Sequence, residues 1–454
     1  MNCILLEPTD VLFFRDGRPM AGSLAGHGAA WPLPNVVNGA FHAALHRAGL
    51  NGVHEHRRGA RGCYESDAPR DRKFGALLTA GPFPVNPSGE WFFPRPADLQ
   101  DGTLSPALLP RKQADSAPSS LPPVLRYAVA SRLPPTKDPA AKAWISKRAY
   151  RRYVKGENPL LKEMEAANDS EFGDTESSIG IAIDPQTGTT GQGETAGMIY
   201  SAHFLRLRDG WQLGVMASAW DKPAGSTDSR RDLIDLLLTA SRKIVVGGQQ
   251  RVCTASRIQL EAIPIPAGLR SGFASHEGKF LVKWILLTPA VWPEILPQSR
   301  DGRPMNPHPG GWLPNWIHPE TGAVMLRRRT GPVKRDYSGA KARRTAAADE
   351  PIEARLVAAI VPKPITVTGW SLGVAPGEPA GAHSTHLAVP AGAIYYFETD
   401  TAAQATALAD ALNWHGSTDG SEIKNRRSTL MGEKGFGLGV CGSWTRWETS
   451  ADAR

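Results

Sequence analysis

The sequence is poor in cysteine and has no long apolar run. Its 4 cysteines, Cys3, Cys63, Cys253 and Cys441, lie far apart and include no Cys-x-x-Cys pair. This excludes a cysteine-based zinc ribbon and a disulfide framework, and it favours a reducing cytosol. No stretch approaches the roughly 18 uninterrupted apolar residues of a membrane span, and residues 1–8 lack the basic start of a signal peptide. We therefore expect a cytoplasmic protein that does not contact membranes.

Motifs of common enzymes are also missing. There is no Gly-x-Ser-x-Gly, no Walker A sequence and no histidine-aspartate pair of a metal phosphohydrolase. His42 and His46 are spaced like metal ligands on a helix, but Ala43 stands where a metalloprotease has glutamate, so a polar helix face is the better interpretation. The sequence makes a poor case for an active site, and we expect no cofactor and no bound metal.

A Gly-x-Gly-x-x-Gly string at 437–442 looks like a dinucleotide fingerprint. That fingerprint requires a following helix and an acidic residue about 20 positions later, whereas only 12 residues remain in this chain. A glycine-rich loop at 432–442 is left with two interpretations. In the first, the backbone amides around Gly435 and Gly437 bind a phosphodiester together with Lys434. In the second, the loop is a turn packed against a neighbouring strand.

Positive charge is modest overall and concentrated locally. The 454 residues carry 52 Lys and Arg against 44 Asp and Glu. One window, 141–155, has no acidic residue and six basic ones, and a second window, 327–344, has eight basic residues beside one aspartate. Local basicity of this kind is typical of a polyanion-binding site.

The first basic window predicts a helix that begins at an Asp138 cap with Pro139 in its first turn and ends at Gly156. Its cations recur at helical spacing and form one basic face: Lys147, Arg148, Arg151, Arg152 and Lys155. Trp144, Tyr150 and Tyr153 on the same segment either stack on bases or anchor the helix. A solvated basic face with core aromatics remains the alternative to nucleic-acid binding. The second window predicts a basic loop at about 327–350.

Apolar spacing predicts the order strand, helix, strand, strand, helix, strand in the first half of the chain. A strand at 3–6 precedes a helix capped by Asn35 and ending near Ala48. A short strand-like piece lies near 76–80, and once insertions are left out, the strands at 198–207 and 211–217 follow. A helix at 231–244 then leads into a strand at 252–260. This order is that of a ferredoxin-like unit.

The second half repeats the order more loosely. Strands are predicted at 280–287, 355–361, 393–397 and 439–447, with one helix at 401–414 and no visible first helix. We expect an α+β fold of two tandem ferredoxin-like domains with long loop and helical insertions. The domains are residues 1–265, with an insertion at about 95–175, and residues 266–454.

The opening residues carry a resemblance to a known family. The string Leu6-Glu7-Pro8-x-Asp10-x-Leu12-Phe13-Phe14-Arg15-Asp16-Gly17-Arg18-Pro19 closely resembles the start of the third Cmr subunits of type III-B CRISPR effectors, which belong to the RAMP superfamily. Weaker matches run along the chain, including the segment around Gly247 and Gly248 and the glycines from Gly435 to Gly442.

The resemblance implies a non-catalytic RNA-binding subunit. Such a subunit holds the 5′ handle of the crRNA and joins the large polymerase-like subunit to the RAMP backbone subunit. RNA is held by cations on phosphates and by close backbone approach at glycines. The expected contacts are Arg15, Arg18, Lys147, Arg148, Arg151, Arg152, Lys155, Gly247, Gly248, Arg251, Lys434, Gly435 and Gly437.

Two other functions stay open at this point. One is a metal-independent RAMP endoribonuclease that processes precursor crRNA, with His27 or His42 as the general base. The other is a protein scaffold whose basic loops hold acidic neighbours and which has no RNA affinity of its own.

Overall fold

A computed structural model describes most of the chain and shows a mixed α/β fold with many strands and few helices. The described residues are 1–14, 25–26, 29, 31–50, 77–100, 103–104, 106–110, 121–131, 142–157, 165–181, 183–184, 186–189, 199–221, 231–297, 306–329, 349–371, 381–382 and 384–445. Across these ranges, no helix is long and apolar enough to cross a membrane.

The described helices range from 4 to 14 residues. They are α1 (Pro34–Arg47), α2 (Lys147–Val154), α3 (Asp169–Phe172), α4 (Leu233–Leu237) and α5 (Ala402–Leu412), with a 3₁₀ turn at Gly432–Lys434. The longer strands are β1 (Asn2–Pro8), β2 (Leu77–Val85), β3 (Gly173–Ile181), β4 (Ile199–Leu207), β5 (Gln212–Asp221), β6 (Arg242–Val245), β7 (Val252–Ile258), β8 (Lys279–Leu286), β9 (Ala354–Ile360), β10 (Ile394–Thr399) and β11 (Gly439–Ser443).

Minor strands pair locally between these elements. They are Ala25–Gly26, Phe92–Pro94, Leu99–Gln100, Thr103–Leu104, Pro106–Pro110, Tyr127–Ser131, Trp144–Ser146, Ala166–Ala167, Arg231–Asp232, Ser275–His276, Arg327–Arg329, Asp349–Pro351, Ile365–Val367, Trp370–Ser371, Gly381–Ala382 and His386–Ala388.

The first large sheet is antiparallel throughout. Its main strands lie in the order β7-β1-β5-β2, with β6 beside β7. Numbered by their place in the chain, the four main strands have the spatial order 4-1-3-2. Helix α1 follows the first of them, and α4 lies between the third and fourth. The apolar side of α1 packs on this sheet through Val37, Phe41 and Leu45, which are fully buried.

The second large sheet has the same strand order. Its strands lie as β11-β8-β10-β9, again 4-1-3-2 in chain order, and every neighbouring pair is antiparallel. Helix α5 lies between the third and fourth strands, as predicted, and Thr401 caps it by accepting a hydrogen bond from the Gln404 amide. Between β8 and β9, the described residues contain no α-helix.

One apolar core joins the two halves of the chain. It contains Phe83 and Met216 from the first sheet, Ile285 and Val440 from the second, and Tyr150 from α2. Residues distant in sequence therefore bury their apolar surface together, and this burial is the main stabilising term for such an interface.

Two helix predictions were wrong in extent. The basic helix does not begin near Asp138: residues 138–141 lie outside the described residues, and Trp144–Ser146 is a strand paired with Phe92–Pro94. Helix α2 begins at Lys147 because Ser146 supplies the cap, its hydroxyl accepting from the Ala149 amide at 3.3 Å. Helix α1 starts two residues earlier than predicted, because Leu33 and not Asn35 is its cap and Pro34 is its first residue. Proline is favoured at this position, since the first N–H groups of a helix have no partner within the helix.

The predicted helix at 231–244 was also wrong. Asp232 caps only the short α4, accepting from the Ile234 amide at 3.0 Å, and it also binds the Ala219 amide. The following Ile244 and Val245 belong to β6, which pairs with β7 in a hairpin. Cross-strand pairing of β-branched residues therefore overrides the leucine spacing that suggested a long helix.

Candidate nucleic-acid interface

Helix α2 separates its aromatic residues from its cations. Tyr150 and Tyr153 are fully buried, whereas Arg148, Arg151 and Lys155 are exposed. The three exposed cations follow one another at i, i+3 and i+7, so they share one side of the helix. We call this side, defined by Arg148, Arg151 and Lys155, the outward face of α2. Its cations are suited to contact the phosphates of a nucleic-acid strand.

The other two predicted cations of α2 are engaged within the fold. Lys147 is half-buried and donates to the Ile263 carbonyl, and burial lowers the pKa of its amine. Arg152 makes two hydrogen bonds to the buried Glu165 carboxylate, at 3.0 and 2.8 Å, and these bonds raise the pKa of the guanidinium. The predicted alignment of Lys147 with Arg151 and Lys155 therefore does not form the exposed face.

The tyrosines of α2 anchor the helix. The Tyr153 hydroxyl donates to Asp98 at 2.6 Å, and the Lys283 amine lies 3.8 Å from the centre of the Tyr153 ring. Lys283 also donates to Asp98 at 2.9 Å, forming an ion pair with both side chains buried. Of the two interpretations of these aromatics, the anchoring one fits the structure, because rings at 0% exposure cannot stack on a base in this conformation.

The glycine pair at 247–248 packs against the opening segment. Gly247 has φ +82°, and a Cβ there would lie 2.6 Å from the Phe13 carbonyl oxygen. The Gly248 amide donates to that carbonyl at 2.9 Å. The close backbone approach predicted for these glycines is therefore made to the chain's own residues, next to the point where the segment continues to Arg15 and Arg18, which lie outside the described residues.

Arg251 belongs to an ion-pair network beside this contact. Its guanidinium lies 3.5 Å from Asp10 and 4.8 Å from the centre of the Phe204 ring. Asp10 is shared with Arg206, which also binds Glu176 at 2.7 Å. Arg206 was not among the residues predicted from the sequence, and in the hairpin register it lies opposite Asp174, one pair away from Glu176 on the same face.

Amides of the glycine-rich loop donate hydrogen bonds to other groups of the same chain. The Lys434 amide donates to Met431, the Gly437 amide to Pro289 at 2.7 Å and the Leu438 amide to the Thr288 hydroxyl. A Cβ at Gly435 would lie 2.9 Å from the Thr79 carbonyl oxygen. These contacts agree with the interpretation of a packed turn, which here joins the second half of the chain to β2 of the first sheet.

The basic loop and the proposed general bases are described only in part. Residues 327–329 pair with 349–351, and the remainder of the loop lies outside the described residues, as does His27. His42 lies on α1 with its ring centre 4.7 Å from that of His46. In the part of the chain that the structure describes, no three His, Cys, Asp or Glu side chains come together as a metal site.

A comparison with family models decides the family. The model described as CRISPR-associated protein (Cas_Cmr3) matches residues 4–444. The chain belongs to this Cas_Cmr3 family. The match confirms the resemblance drawn from the opening residues and extends it over nearly the whole chain.

Two solved structures of Cmr complexes contain a similar chain. One is a cryo-EM structure of the type III-B Cmr-beta bound to cognate target RNA and AMPPnP, at 12% identity and TM-score 0.36, covering 87% of this chain and 86% of that one. The other is the type III-B Cmr-beta bound to cognate target RNA, at 12% identity, TM-score 0.35 and the same coverage. No curated protein matches the chain. The assignment rests on the family model.

Proposed function

We propose that this Cas_Cmr3 family member is a non-catalytic RNA-binding subunit of a type III-B Cmr ribonucleoprotein. In this role it holds the 5′ handle of the crRNA and joins the large polymerase-like subunit to the RAMP backbone subunit. The family match over residues 4–444 supports membership of such a complex.

The strand orders support the fold that the family resemblance implies. A split β-α-β arrangement with a third strand inserted between the first two is the core of the ferredoxin-like unit. Both sheets have the order 4-1-3-2 with antiparallel neighbours. We propose that they are two tandem ferredoxin-like domains divided at residues 265 and 266, the second without a described first helix.

The main support for RNA binding is the exposure of the cations on the outward face of α2. The Arg148 side chain is 74% exposed, and its Nε lies 3.8 Å from a carboxylate oxygen of Glu165. No ion pair is found for Arg151 or Lys155 among the residues that the structure describes. Exposed cations on a helix whose opposite side is locked in the core are preorganised for phosphate contacts.

A binding titration tests this proposal. The purified chain is titrated with labelled RNA carrying the 5′ repeat handle and with a scrambled RNA, at several salt concentrations. We expect the wild-type chain to prefer the handle and to lose affinity with salt. Replacing Arg148→Ala and Arg151→Ala together removes two phosphate contacts, which lowers the slope of log affinity against log salt by about 1.4, at ~0.7 per contact on a single strand.

The matched control removes two exposed cations elsewhere. Arg242→Ala with Lys243→Ala changes the net charge equally on the edge strand β6, and we expect its salt slope to stay near the wild-type value. Equal slopes in all three proteins would refute a phosphate-binding role of α2. Cleavage of repeat RNA in EDTA would instead establish the endoribonuclease, and assembly with partners without salt-sensitive RNA affinity would establish the scaffold.

A further inference from the structure

A buried polar network lies where α2 meets the second half of the chain. One oxygen of the Asp98 carboxylate accepts from the Tyr153 hydroxyl at 2.6 Å, and the other accepts from the Lys283 amine at 2.9 Å and the Tyr396 hydroxyl at 3.0 Å. Lys283 and Tyr396 belong to β8 and β10 of the second sheet. We call these four residues the Asp98 network. None of them is more than 3% exposed, so the network is part of the packed interior.

The segment that carries Asp98 is bound to both halves of the chain. The Arg95 amide donates to the Ala143 carbonyl at 2.9 Å, and the Ala97 amide donates to the Gly392 carbonyl at 2.9 Å. Gly392 has φ +87°, and a Cβ there would lie 2.4 Å from the Arg95 carbonyl oxygen. The backbone beside Asp98 is therefore held by Ala143 on the first-half side and by Gly392 on the second-half side.

Lys283 stands at a position where the strand pattern calls for an apolar residue. Leu281 and Ile285, two residues away on either side in β8, belong to the apolar core that joins the halves, and alternation places Lys283 on the same face. Lysine is almost never fully buried unless it is paired. A buried ion pair often stabilises a fold no more than apolar residues of similar volume do. It does impose one geometry, because any arrangement that separates the two charges leaves both of them desolvated and unpaired.

Helix α2 depends on contacts of this kind for its position. It has 8 residues, and helices shorter than about 12 residues are marginal in water without tertiary packing. At 3.6 residues per turn, Tyr153 lies on the side of the helix opposite to Arg151. Next to Tyr153, the Val154 carbonyl oxygen lies 3.0 Å from the Cβ position of Gly442 in β11. The contacts of Tyr153 and Val154 with the second half therefore set the angle at which the outward face of α2 is presented.

We propose that Lys283 and Asp98 are positioning residues for RNA binding, because through Tyr153 they fix the angle of α2 and with it the outward face. Residues of the second sheet thereby set the RNA affinity of cations that belong to the first half of the chain. Both residues are buried and contact no RNA themselves, so they act through α2. This inference rests on the proposed function for the identity of the ligand.

The two tyrosines of α2 provide a matched pair of variants in the full chain. Both side chains are fully buried, but the Tyr150 hydroxyl has no hydrogen-bond partner among the described residues, whereas the Tyr153 hydroxyl donates to Asp98. We expect Tyr153→Phe to weaken the binding of handle RNA at least fivefold and Tyr150→Phe to leave it within about twofold. We also expect the amides of 149–155 to exchange with solvent at least fivefold faster in Tyr153→Phe and at the wild-type rate in Tyr150→Phe.

A second pair of variants separates positioning from stability. Lys283→Met with Asp98→Ala removes the ion pair and leaves no unpaired charge. Asp232→Asn is its control, since Asp232 is also a buried carboxylate but binds the Ala219 and Ile234 amides in the first half. At temperatures where circular dichroism shows each protein folded, we expect the double variant to lose at least fivefold in handle affinity and to have a lower salt slope. Asp232→Asn should unfold at lower urea and keep its handle affinity within about twofold.

Three results would overturn the proposal. Equal changes of handle affinity in Tyr153→Phe and Tyr150→Phe, or in the double variant and Asp232→Asn, would give the Asp98 network a role in stability alone. Wild-type exchange rates of the α2 amides in Tyr153→Phe and in the double variant would show that the network does not fix the helix. A wild-type chain without affinity for handle RNA would refute the proposed function, and the exchange rates would then still report whether the network fixes α2.

Discussion

At the scale of single residues, equal charges in one helix have different roles. Arg151 and Arg152 are neighbours in α2, yet Arg151 is exposed and Arg152 binds Glu165, whose side chain is 9% exposed. A buried carboxylate that loses its partner retains the desolvation cost without the compensating hydrogen bonds. The roles of these residues in stability and in RNA binding are therefore expected to separate.

We expect Arg152→Ala to lower the free energy of unfolding by about 1–3 kcal/mol, because it removes two hydrogen bonds from the buried Glu165 carboxylate. Arg151→Ala is the matched control, and we expect a change within about 0.5 kcal/mol. Urea unfolding of both variants measures the difference. Equal losses of unfolding free energy in the two variants would mean that the Arg152–Glu165 pair stabilises the fold no more than the exposed Arg151 does.

Arg251 is a second predicted RNA contact that is engaged within the fold. It was predicted as an RNA contact, and in the fold its guanidinium is held between Asp10 and the Phe204 ring. Its RNA contact stays a prediction, as do those of Arg15 and Arg18. The network nevertheless gives Arg251 a structural task, which is to hold the hairpin turn at 247–251 against the opening segment.

At the scale of elements, the glycine-rich loop is shaped by packing. Gly437 has φ +74°, and a Cβ there would lie 2.1 Å from the Ser428 nitrogen. Gly272 has nearly the same conformation, φ +76°, with nothing within 4 Å of its Cβ position. Alanine substitution at these two positions therefore separates two contributions to the loss of stability. Gly272 reports the left-handed backbone alone, and Gly437 reports the backbone together with the close contact.

We expect Gly272→Ala to cost about 1–2 kcal/mol, which is the left-handed penalty alone. Gly437→Ala should cost about 1–3 kcal/mol more, because the added methyl overpacks the turn against backbone. Thermal or urea unfolding of both variants measures this. Similar losses of unfolding free energy at the two sites would contradict the packed-turn interpretation and favour the phosphate-binding one.

At the scale of the whole molecule, the segment between the two sheets is held by a neutral histidine. The Gly268 amide donates to Nε2 of His415 at 3.1 Å, and Nδ1 of His415 faces the Thr418 carbonyl at 3.0 Å. An imidazole that accepts at Nε2 is uncharged. Burial lowers the pKa of His415, with nearby Arg270 acting in the same direction and Asp410 opposing it.

The sign of the pH effect follows from this pKa. Since the pKa of His415 is lowered in the folded state, the unfolded chain binds the extra proton below about pH 6.5, and stability falls as the pH falls. We expect His415→Gln to remove up to about 1.4 kcal/mol per pH unit of this dependence between pH 6.5 and 5. Urea unfolding across that range measures it, and an unchanged slope would refute the role of His415.

Sequence alone determined the local features of this protein. The alternating apolar strands, helix α5 and the opening string around Asp10 are patterns of neighbouring residues, and the fold or the family match agrees with each. Such patterns depend on backbone preference and on periodic burial, which short segments encode.

Only the tertiary structure decided which of these residues are available. Arg152 is engaged by Glu165, Lys147 by the carbonyl of Ile263, and the glycine-rich loop by Pro289 and Thr288. These partners come from other elements, and the sequence near each candidate carries no sign of them. Exposure and pairing are properties of contacts across the chain, so only the packed fold could show which of these cations are exposed.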